Sequence, residues 1–421
     1  MTEVSTDRPP RHVLFAAPFF MEATLKFISG AARLPGVALS VVSQDPESRI
    51  PDAIRRRLAG HWQVKDALAP QQLVDAARSL GRVLGPPERL LAALEQMQVP
   101  LARAREHLGI PGLSVQAAIN FRDKASMKDV MAAANLPCAR HALVANSEDA
   151  QRFLAHVGYP VVVKPPAGAG GKATWRLNGA EDLANLLTQV PLRPDQPALF
   201  EEFVAGEEFS FDSVLIGGEP VWHSISRYQP APLTVLENDW IQWSVVLPRD
   251  ISGPEFDPIR QAGFAAVKAL GLETGLSHME WFQLSGGRIA ISEAGARPPG
   301  AQITSLLSYA HDLDFYQAWP RLMIFDEFEP PPRRYAVGAV YLRGQGGGGG
   351  PTGGRIRRIF GLDEAQQRFG KLVVEAKLPT PGQHRSDSYE GDGYVIIRHP
   401  DSGVVEDAVR ELVSLIRVEL S

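Results

Sequence analysis

The sequence has a single cysteine, no excess of positive charge and no long hydrophobic segment. Cys138 has no partner for an internal disulfide, and a zinc site built from CxxC pairs is excluded. The 421 residues include 43 Lys and Arg against 48 Asp and Glu, a net charge of −5 that argues against a general nucleic-acid binder. The apolar run Val13–Phe20 is too short to span a bilayer and lacks the layout of a signal peptide. These absences predict a cytoplasmic protein without a membrane or nucleic-acid partner.

The N-terminal third of the sequence has the pattern of an α/β protein. An apolar strand over residues 13–18, a helical repeat over 21–34 and a second strand over 37–43 make up a βαβ unit. Such a unit predicts a parallel sheet. Residues 51–112 are rich in Leu, Ala and Arg, and we predict that they are mostly helical.

Later elements are predicted by the same criteria. A helix is expected over 121–135, and a composition break at 329–334 precedes a β-rich segment and a closing helix over 405–418. Between this helix and the composition break lie the acidic segment Glu201–Val204 and the nearby Glu208. Taken alone, these residues fit an edge strand followed by a polar turn.

A glycine-rich segment over 168–172 follows an apolar strand that ends at Lys164. Backbone N–H groups of such a loop can bind phosphate, and a lysine at the strand end would reach an α- or β-phosphate. The segment is not a P-loop, because Pro166 stands at the first glycine position and Ala173 follows the lysine. A flexible hairpin turn is an equally good interpretation. The run Gly346–Gly350 is typical of a linker or extended turn.

Two glutamates flank a predicted hairpin and would face each other across it. If Gly286–Gly287 is a two-residue turn, Ser285 pairs with Arg288, and Glu280 then stands directly opposite Glu293. Like charges in opposed positions destabilise a sheet, and a divalent cation removes that cost. Magnesium bound through one or two carboxylates and substrate phosphates fits this arrangement. The alternative is a solvated hairpin face, which the largely apolar flanking residues disfavour.

The same strand face carries further polar residues. Alternation along the strands places His278 beside Glu280, and places Gly295 and Arg297 beside Glu293. An arginine beside a metal suits a phosphoryl group in transfer. A single histidine is often structural, so both a structural and a functional role stay open for His278.

Taken in order along the chain, these motifs resemble those of the ATP-grasp superfamily, specifically its carboxylate–amine ligases and most closely the L-amino-acid ligase branch. The matching segments are Asn120–Met127, Tyr159–Pro165, 168–172, Glu201–Ser210, His278–Glu280 and Glu293–Gly300. The resemblance implies a mixed α/β (α+β) ATP-grasp fold with three domains. These are an N-terminal parallel βαβ pre-ATP-grasp domain (1–113), an ATP-grasp domain (114–328, with a lid at about 137–204) and a small C-terminal α+β domain (329–421).

The resemblance also implies roles for the matching residues. Those implied to bind ATP are Lys124, Lys164, Gly168, Gly170, Gly171, Lys172, Glu201, Glu202, Phe203, Val204 and Glu208. The first two lysines would contact phosphates, the glycine loop would cover them, the stretch from 201 to 204 would contact adenine, and Glu208 would bind the ribose. Glu280 and Glu293 would hold Mg²⁺, and Arg297 would stabilise the transferring phosphoryl group, with His278 as a second catalytic candidate. Many family members have Asn where this chain has Gly295, so one oxygen ligand is missing.

The implied activity joins a carboxylic acid to an amine with the use of ATP and Mg²⁺. The carboxylate would attack the γ-phosphate to give an acyl phosphate and ADP, and the amine would then displace phosphate to form an amide. Amino acids are the expected substrates, segments 226–243 and 298–309 the expected substrate pocket, and a homodimer is expected by analogy.

Two alternatives are a biotin-carboxylase-like or formate-using member of the superfamily and a catalytically idle ATP-binding protein. The residues Pro298–Ile303 differ from the Gln-Val-Glu-His continuation of biotin carboxylases, which disfavours that enzyme. The complete set of charged motif residues disfavours an idle protein.

Overall fold

A small sheet forms the N-terminal part of the chain, in a computed structural model that describes residues 9–168, 173–238, 240–346 and 354–421. The elements of this part, in chain order, are β1 (Arg11–Ala16), α1 (Glu22–Ala32), β2 (Val37–Ser43), α2 (Asp52–Arg55), β3 (Gly60–Gln63), α3 (Pro70–Leu84), β4 (Arg89–Leu91) and α4 (Gln98–Leu108). The strands lie in the order β3-β2-β1-β4, and every pair is parallel.

Burial on both faces explains why this sheet is parallel. Five of the six residues of β1 are buried, as expected for a strand with helices packed on both sides. The predicted βαβ unit is therefore confirmed. The prediction that 51–112 is mostly helical is only partly correct, because β3 and β4 lie there. These strands have four and three residues, too few for a period of two to stand out in the sequence.

The next part of the chain contains a helix pair and a second, antiparallel sheet. Its elements are α5 (Val115–Arg122), α6 (Lys124–Ala133), β5 (His141–Val144), α7 (Ser147–Val157), β6 (Val161–Lys164), β7 (Trp175–Leu177), α8 (Ala180–Gln189) and β8 (Ala198–Glu202). The strand order is β5-β8-β6-β7.

The single helix predicted over 121–135 is wrong, because the chain breaks at Asp123. That residue has an extended backbone, and its side chain accepts a hydrogen bond from the Ser126 N–H at 2.9 Å. It is thus the N-cap of α6. The break makes Lys124 the first residue of the new helix.

An eight-stranded antiparallel sheet is the largest element of the fold. The remaining elements are β9 (Glu207–Ile216), β10 (Glu219–Gln229), α9 (Pro232–Glu237), β11 (Trp243–Leu247), α10 (Asp257–Ala269), β12 (Gly275–Gln283), β13 (Ile289–Gly295), α11 (Ile303–His311), α12 (Phe315–Phe325), β14 (Ala336–Leu342), β15 (Gly344–Gln345), β16 (Ile356–Phe360), α13 (Leu362–Phe369), β17 (Val373–Lys377), β18 (Gly393–His399), α14 (Ser402–Leu415) and β19 (Arg417–Leu420). The large sheet has the order β13-β12-β9-β10-β11-β14-β18-β17, and β15, β19 and β16 form a small separate sheet. The large sheet thus takes strands from both sides of residue 329.

Helices cover the large sheet unevenly. On one face, α6 and α10 pack under β9, β12 and β13, and α14 packs under β14 and β18. On the other face, α11 and α12 cover the aromatic half around Trp243 and Tyr341. The half of that face formed by β13, β12, β9 and β10 carries polar side chains instead, and it forms the floor of the site described below.

Two further observations concern the ends of elements and the membrane. The closing helix ends at Leu415, so its predicted extension to residue 418 is wrong, and β19 begins two residues later. Within the described ranges, no helix is long and apolar enough to cross a membrane.

Candidate active site

Glu280 and Glu293 stand directly opposite each other on β12 and β13, as predicted. The turn that joins the strands is not the predicted two-residue turn. Residues Ser285–Gly287 form a short 3-10 turn, and the pairs near it, such as Trp281 with Ile291, are one residue out of the predicted register. A β-bulge between these pairs and the two glutamates restores the register. The pairing is therefore correct although the turn that led to it is wrong.

Three carboxylates cluster on this face, and their pKa values are shifted in different directions. Glu208 projects on the same face from β9, the neighbouring strand. Burial, together with the charges of Glu280 and Glu293, raises the pKa of Glu208 well above its usual value. Burial and the charge of Glu293 likewise raise the pKa of Glu280. Burial would raise the pKa of Glu293 too, but Lys124 and Lys164 outweigh it and lower it to about 2.

Lys124 connects the carboxylates to the glycine loop. Its Nζ lies 2.9 Å from Glu293 Oε2 and donates a hydrogen bond to the Gly168 carbonyl at 2.8 Å. The Lys124 backbone N–H also donates to the Pro166 carbonyl at 2.7 Å. The start of α6 is thus fixed against the strand end that leads into the loop. Gly170, Gly171 and Lys172, all predicted to bind ATP, lie outside the described residues.

Two lysines contact the carboxylate of Glu201. Lys164 Nζ lies 3.0 Å from one Glu201 oxygen, and Lys128 Nζ lies 3.5 Å from the other. Burial would raise the pKa of Glu201, but the two lysines outweigh it and lower it. For Lys164, burial would lower the pKa, and the carboxylates of Glu201 and Glu293 raise it instead. Both lysines at Glu201 therefore belong to one buried charge network.

Sequence reasoning missed Lys128, which is fully buried. It lies four residues after Lys124, so both side chains project from the same side of α6. That spacing is the signal that could have identified it. Its Nζ donates to the Ser292 carbonyl at 3.0 Å, at the bulge that sets the register of the glutamate pair. Burial lowers the pKa of Lys128 despite the charge of Glu201.

Arg297 is held by a residue from the N-terminal part of the chain. Its Nε donates to Glu95 Oε2 at 2.6 Å, and Arg122 lies 3.5 Å from the other Glu95 oxygen. A Cβ atom at Gly295 would lie 3.2 Å from Glu95 Oε2. The glycine that replaces the family's asparagine therefore leaves room for Glu95. Sequence reasoning missed Glu95, because no local pattern connects it with a strand two hundred residues away.

His278 lies on the same face of the sheet as Glu280, and Asp212 on the neighbouring strand β9 orients its ring. Its Nδ1 lies 2.7 Å from Asp212 Oδ1, and the Ser210 hydroxyl donates to the other Asp212 oxygen at 3.1 Å. Asp212 is fully buried, and it was not predicted. Burial would lower the pKa of His278, but the charge of Asp212 outweighs it and raises it. This contact favours a charged imidazole.

One cavity of about 650 Å³ brings these groups together, a volume typical of small-molecule sites. The predicted site residues that line it are Lys124, Lys164, Gly168, Glu201, Glu202, Phe203, Val204, Glu208, His278, Glu280, Glu293 and Arg297. The predicted substrate segments 226–243 and 298–309 both contribute to the wall. A third segment, Ser388–Glu390, contributes as well and was missed. It lies in a long connection before β18 that has no sequence motif.

The stretch predicted to contact adenine connects β8 to β9 along one wall. Its aromatic residue, Phe203, has the Arg176 guanidinium 4.0 Å from its ring centroid. The Phe203 N–H donates to the Pro160 carbonyl at 3.2 Å. These contacts fix the connection, and its residues line the cavity together with Lys164.

The two opposed carboxylates are an incomplete set of ligands for a cation. Among the described residues, no group of three or more His, Cys, Asp or Glu side chains is arranged to enclose a metal ion. Glu280 and Glu293 alone present two opposed carboxylates. Mg²⁺ is usually held by one or two carboxylates, with waters and substrate phosphates as the other ligands. The donor set therefore fits Mg²⁺ that is bound together with a nucleotide.

Known proteins resemble this chain in sequence and in fold. Residues 129–306 match the ATP-grasp domain. An L-arginine-specific L-amino acid ligase of Bacillus subtilis is 22% identical over 299 residues, which are 69% of this chain and 70% of that protein. An alanine–anticapsin ligase of Bacillus subtilis is 24% identical over 281 residues, 61% of this chain and 58% of that protein. The crystal structure of an L-amino acid ligase from Bacillus licheniformis has a TM-score of 0.75 at 19% identity and covers 98% and 99% of the two chains.

Residues 129–306 therefore match an ATP-grasp domain, and the chain has the fold of the L-amino acid ligase structure along nearly its whole length. The predicted fold, the resemblance to carboxylate–amine ligases and the ligase class are confirmed. The individual roles of the site residues remain predictions.

Proposed function

We propose that the protein is an ATP- and Mg²⁺-dependent ligase that joins a carboxylic acid to an amine through an acyl phosphate. The observation that carries this proposal is the cavity in which Glu280 and Glu293 face each other beside Lys124, Lys164 and Arg297. ATP has several negative charges, and this arrangement gathers cationic groups around the place where its phosphates would lie. Phosphoryl transfer depends mainly on such positioning and charge stabilisation.

The lysines and the glycine loop would hold the nucleotide. Lys124 and Lys164 would contact phosphate oxygens, and the segment beginning at Gly168 would cover them. Glu201–Val204 would contact the base, and Glu208 the ribose hydroxyls. Glu280 and Glu293 would hold Mg²⁺, which neutralises phosphate charge and orients the γ-phosphate when it is bound.

The reaction has two steps. A carboxylate oxygen of the acid attacks the γ-phosphorus, and the bond to the β,γ-bridging oxygen breaks, which gives the acyl phosphate and ADP. The amine nitrogen then attacks the acyl carbon, loses a proton, and displaces inorganic phosphate to form the amide. Arg297 would stabilise the charge of the transferring phosphoryl group. His278, whose pKa the charge of Asp212 raises, would hold an oxygen of the acid or of the acyl phosphate.

Amino acids are the proposed substrates, because two of the relatives are an L-arginine-specific L-amino acid ligase and an alanine–anticapsin ligase. We infer a cytoplasmic location, since the reaction consumes ATP. A homodimer is also proposed, and light scattering during gel filtration tests it. No nucleic-acid or membrane partner is part of this proposal.

An ADP-release screen tests the proposal. The purified protein is incubated with ATP, Mg²⁺ and pairs of amino acids or small carboxylic acids, including bicarbonate and formate. The masses of the products are measured by mass spectrometry. We expect ADP formation that requires an acid, and a product with the mass of an amide. Acid-independent or absent ADP formation would favour the idle protein, and turnover with bicarbonate or formate alone would favour the other superfamily chemistries.

A variant pair connects that activity to the site. Arg297→Ala should lose on the order of 10²-fold in kcat with little change in KM for ATP, since its contact is made in the transition state. Arg288→Ala is the matched control, because Arg288 is exposed at the turn of the same hairpin. If Arg297→Ala instead raises KM for an amino acid and leaves kcat unchanged, Arg297 binds substrate and does not stabilise phosphoryl transfer.

A further inference from the structure

The cavity extends beyond the groups assigned to ATP and Mg²⁺. Another part of its wall is formed by residues of β10, α9 and the connection before β18. We call this part the acidic end and define it by Tyr228, Glu237, Tyr389 and Glu390. No described residue that lines the cavity here is a lysine or an arginine.

The two carboxylates of the acidic end lack a cationic partner among the described residues. Glu390 accepts a hydrogen bond from the neutral Gln302 amide at 3.1 Å. Glu237 has no ion pair or side-chain hydrogen bond to a described residue. The arginine behind this wall, Arg343, is engaged elsewhere, since its Nη1 donates to the Val235 carbonyl at 2.9 Å. The described residues therefore leave both carboxylates, of which Glu237 is exposed to solvent, without a direct cationic partner.

Two tyrosine hydroxyls at the same place also lack partners. Tyr228 is only 6% exposed, and its hydroxyl has no hydrogen bond to a described residue. The Tyr389 hydroxyl is buried and likewise has no described partner. Burial and the charge of Glu280 raise the pKa of both tyrosines well above the usual value, so both hydroxyls stay protonated. A buried hydroxyl without a partner, such as that of Tyr389, is uncommon. Together with the Tyr228 hydroxyl, it is a candidate contact for a ligand in the cavity.

Tyr389 is fixed in this position from two directions. Its ring lies 4.3 Å from that of Trp243, which itself stacks on Tyr341 at 3.9 Å. The Trp243 Nε1 also donates to the Tyr389 carbonyl at 3.1 Å. The connection before β18 is thus held over the sheet, and its tyrosine is preorganised as part of the cavity wall.

The tyrosines of the acidic end lie over strands two and three places away from the strand of Glu280, although the charge of Glu280 still reaches both hydroxyls. In the sheet, β12 carries Glu280, and β10 and β11, which carry Tyr228 and Trp243, are its second and third neighbours. At a spacing of about 4.8 Å between strands, these positions lie roughly 10 and 14 Å from Glu280. An α-ammonium group is only two bonds from the carboxyl carbon that reacts beside Glu280. A charged group at the end of a long side chain lies farther from the carboxyl carbon than the α-ammonium group does, and it can therefore reach the acidic end.

We propose that the acidic end binds the positively charged side chain of an amino-acid substrate, with Glu390 and Glu237 as counter-charges and Tyr228 and Tyr389 around the cation. This inference rests on the proposed ligase function and names its substrate class. Tyrosine rings attract cations over their faces, and the hydroxyl oxygens can accept hydrogen bonds from the cationic group.

Matched substrates test the proposal. Arginine is compared with citrulline, and lysine with norleucine, since each pair differs mainly in side-chain charge. Phosphate release is measured with each compound as acid and as amine. We expect KM for the charged member to be about 10- to 100-fold lower, the range for a hydrogen bond to a charged group. Equal KM values within both pairs would overturn the proposal.

Variants locate the effect. Glu390→Gln should raise KM for arginine about tenfold or more and leave KM for citrulline and ATP unchanged. Glu237→Gln is the second variant, with the same expected direction. Asp387→Asn is the matched control, because Asp387 is an exposed carboxylate of the same connection that does not line the cavity. If both glutamine variants keep the wild-type preference for arginine and melt at the wild-type temperature, the acidic end does not bind the side chain.

Calorimetry separates this inference from the ligase proposal. Arginine and citrulline are titrated into the protein with Mg²⁺ and ADP present. ADP formation with neutral amino acids only would leave the ligase function standing and overturn the cationic substrate. If no acid supports ADP formation, the ligase proposal fails, and tighter binding of arginine than of citrulline, lost in Glu390→Gln, still supports the acidic end.

Discussion

The opposed glutamates should respond in opposite directions to the same substitution. Glu293 has an ion pair with Lys124 at 2.9 Å and a pKa lowered to about 2, whereas burial and its like-charged neighbour raise the pKa of Glu280. Glu293→Gln removes a favourable interaction and leaves Lys124 without its carboxylate. Glu280→Gln removes a carboxylate whose charge is unfavourable in the metal-free protein. We therefore expect Glu293→Gln to destabilise that protein and Glu280→Gln to stabilise it slightly.

The magnitude follows from the pKa of Glu293. The difference between the ordinary value of 4.5 and about 2 corresponds to roughly 3 kcal/mol at about 1.4 kcal/mol per pH unit. Since 30% of the Glu293 side chain is exposed, solvent screening reduces this to roughly 1–2 kcal/mol. This contribution is fully present above pH 4.5 and is lost as the pH falls towards 2. Glu280 has the opposite sign, because its cost appears as the pH rises above 4.5.

Differential scanning calorimetry at pH 7.5 with a chelator measures this contrast. At about 2 cal/mol/K of unfolding entropy per residue, a chain of 421 residues shifts by roughly 1 °C per kcal/mol. Glu293→Gln should melt roughly 1–2 °C below the wild type, and Glu280→Gln at or above it. Both variants should lose turnover on the order of 10²-fold, because both remove a proposed Mg²⁺ ligand. Equal melting temperatures for the two variants, or a lower value for Glu280→Gln, would refute the assigned asymmetry.

Three further predictions concern the charges around the pair. Lys128→Met should lower the melting temperature by a few degrees, because it leaves a carbonyl at the bulge and one oxygen of Glu201 without their buried partner; an unchanged value in a thermal scan would contradict this. Lys164→Ala should weaken ATP binding about tenfold more than AMP binding, since the lost contact is to phosphate; equal losses by calorimetry would place this lysine away from the phosphates. Asp212→Asn should lower the pKa of His278 in an NMR titration, and the wild type should lose more stability than this variant as the pH rises from 6.5 through the raised pKa. An unchanged histidine titration would show that Asp212 does not hold the charge.

Local patterns predicted the elements whose periodicity is strong. The apolar strand β2 was predicted with its observed bounds, and the hairpin of β12 and β13 was placed correctly. The pairing of Glu280 with Glu293 was correct because two departures compensate. The longer turn shifts the register by one residue, and the bulge shifts it back. The sequence shows no sign of the bulge, where the Ser292 carbonyl accepts a hydrogen bond from the distant Lys128.

Contacts between distant segments could not be predicted from a single sequence. Glu95 reaches Arg297 across two hundred residues, and Tyr389 reaches the cavity from the far end of the chain. Neither lies in a motif, and each has its place only because separate parts of the chain pack together. Gly295 shows the same limit, because its lack of a side chain is explained by the position of Glu95.

Isotope transfer tests the central claim, that the acid is activated as an acyl phosphate. An amino acid labelled with ¹⁸O in its carboxylate is incubated with ATP, Mg²⁺ and an amine, and the released phosphate is analysed by mass spectrometry. Attack of the carboxylate on the γ-phosphorus predicts one ¹⁸O atom in each phosphate, with ADP as the nucleotide product. Release of unlabelled phosphate, or of AMP and pyrophosphate, would contradict the proposed mechanism.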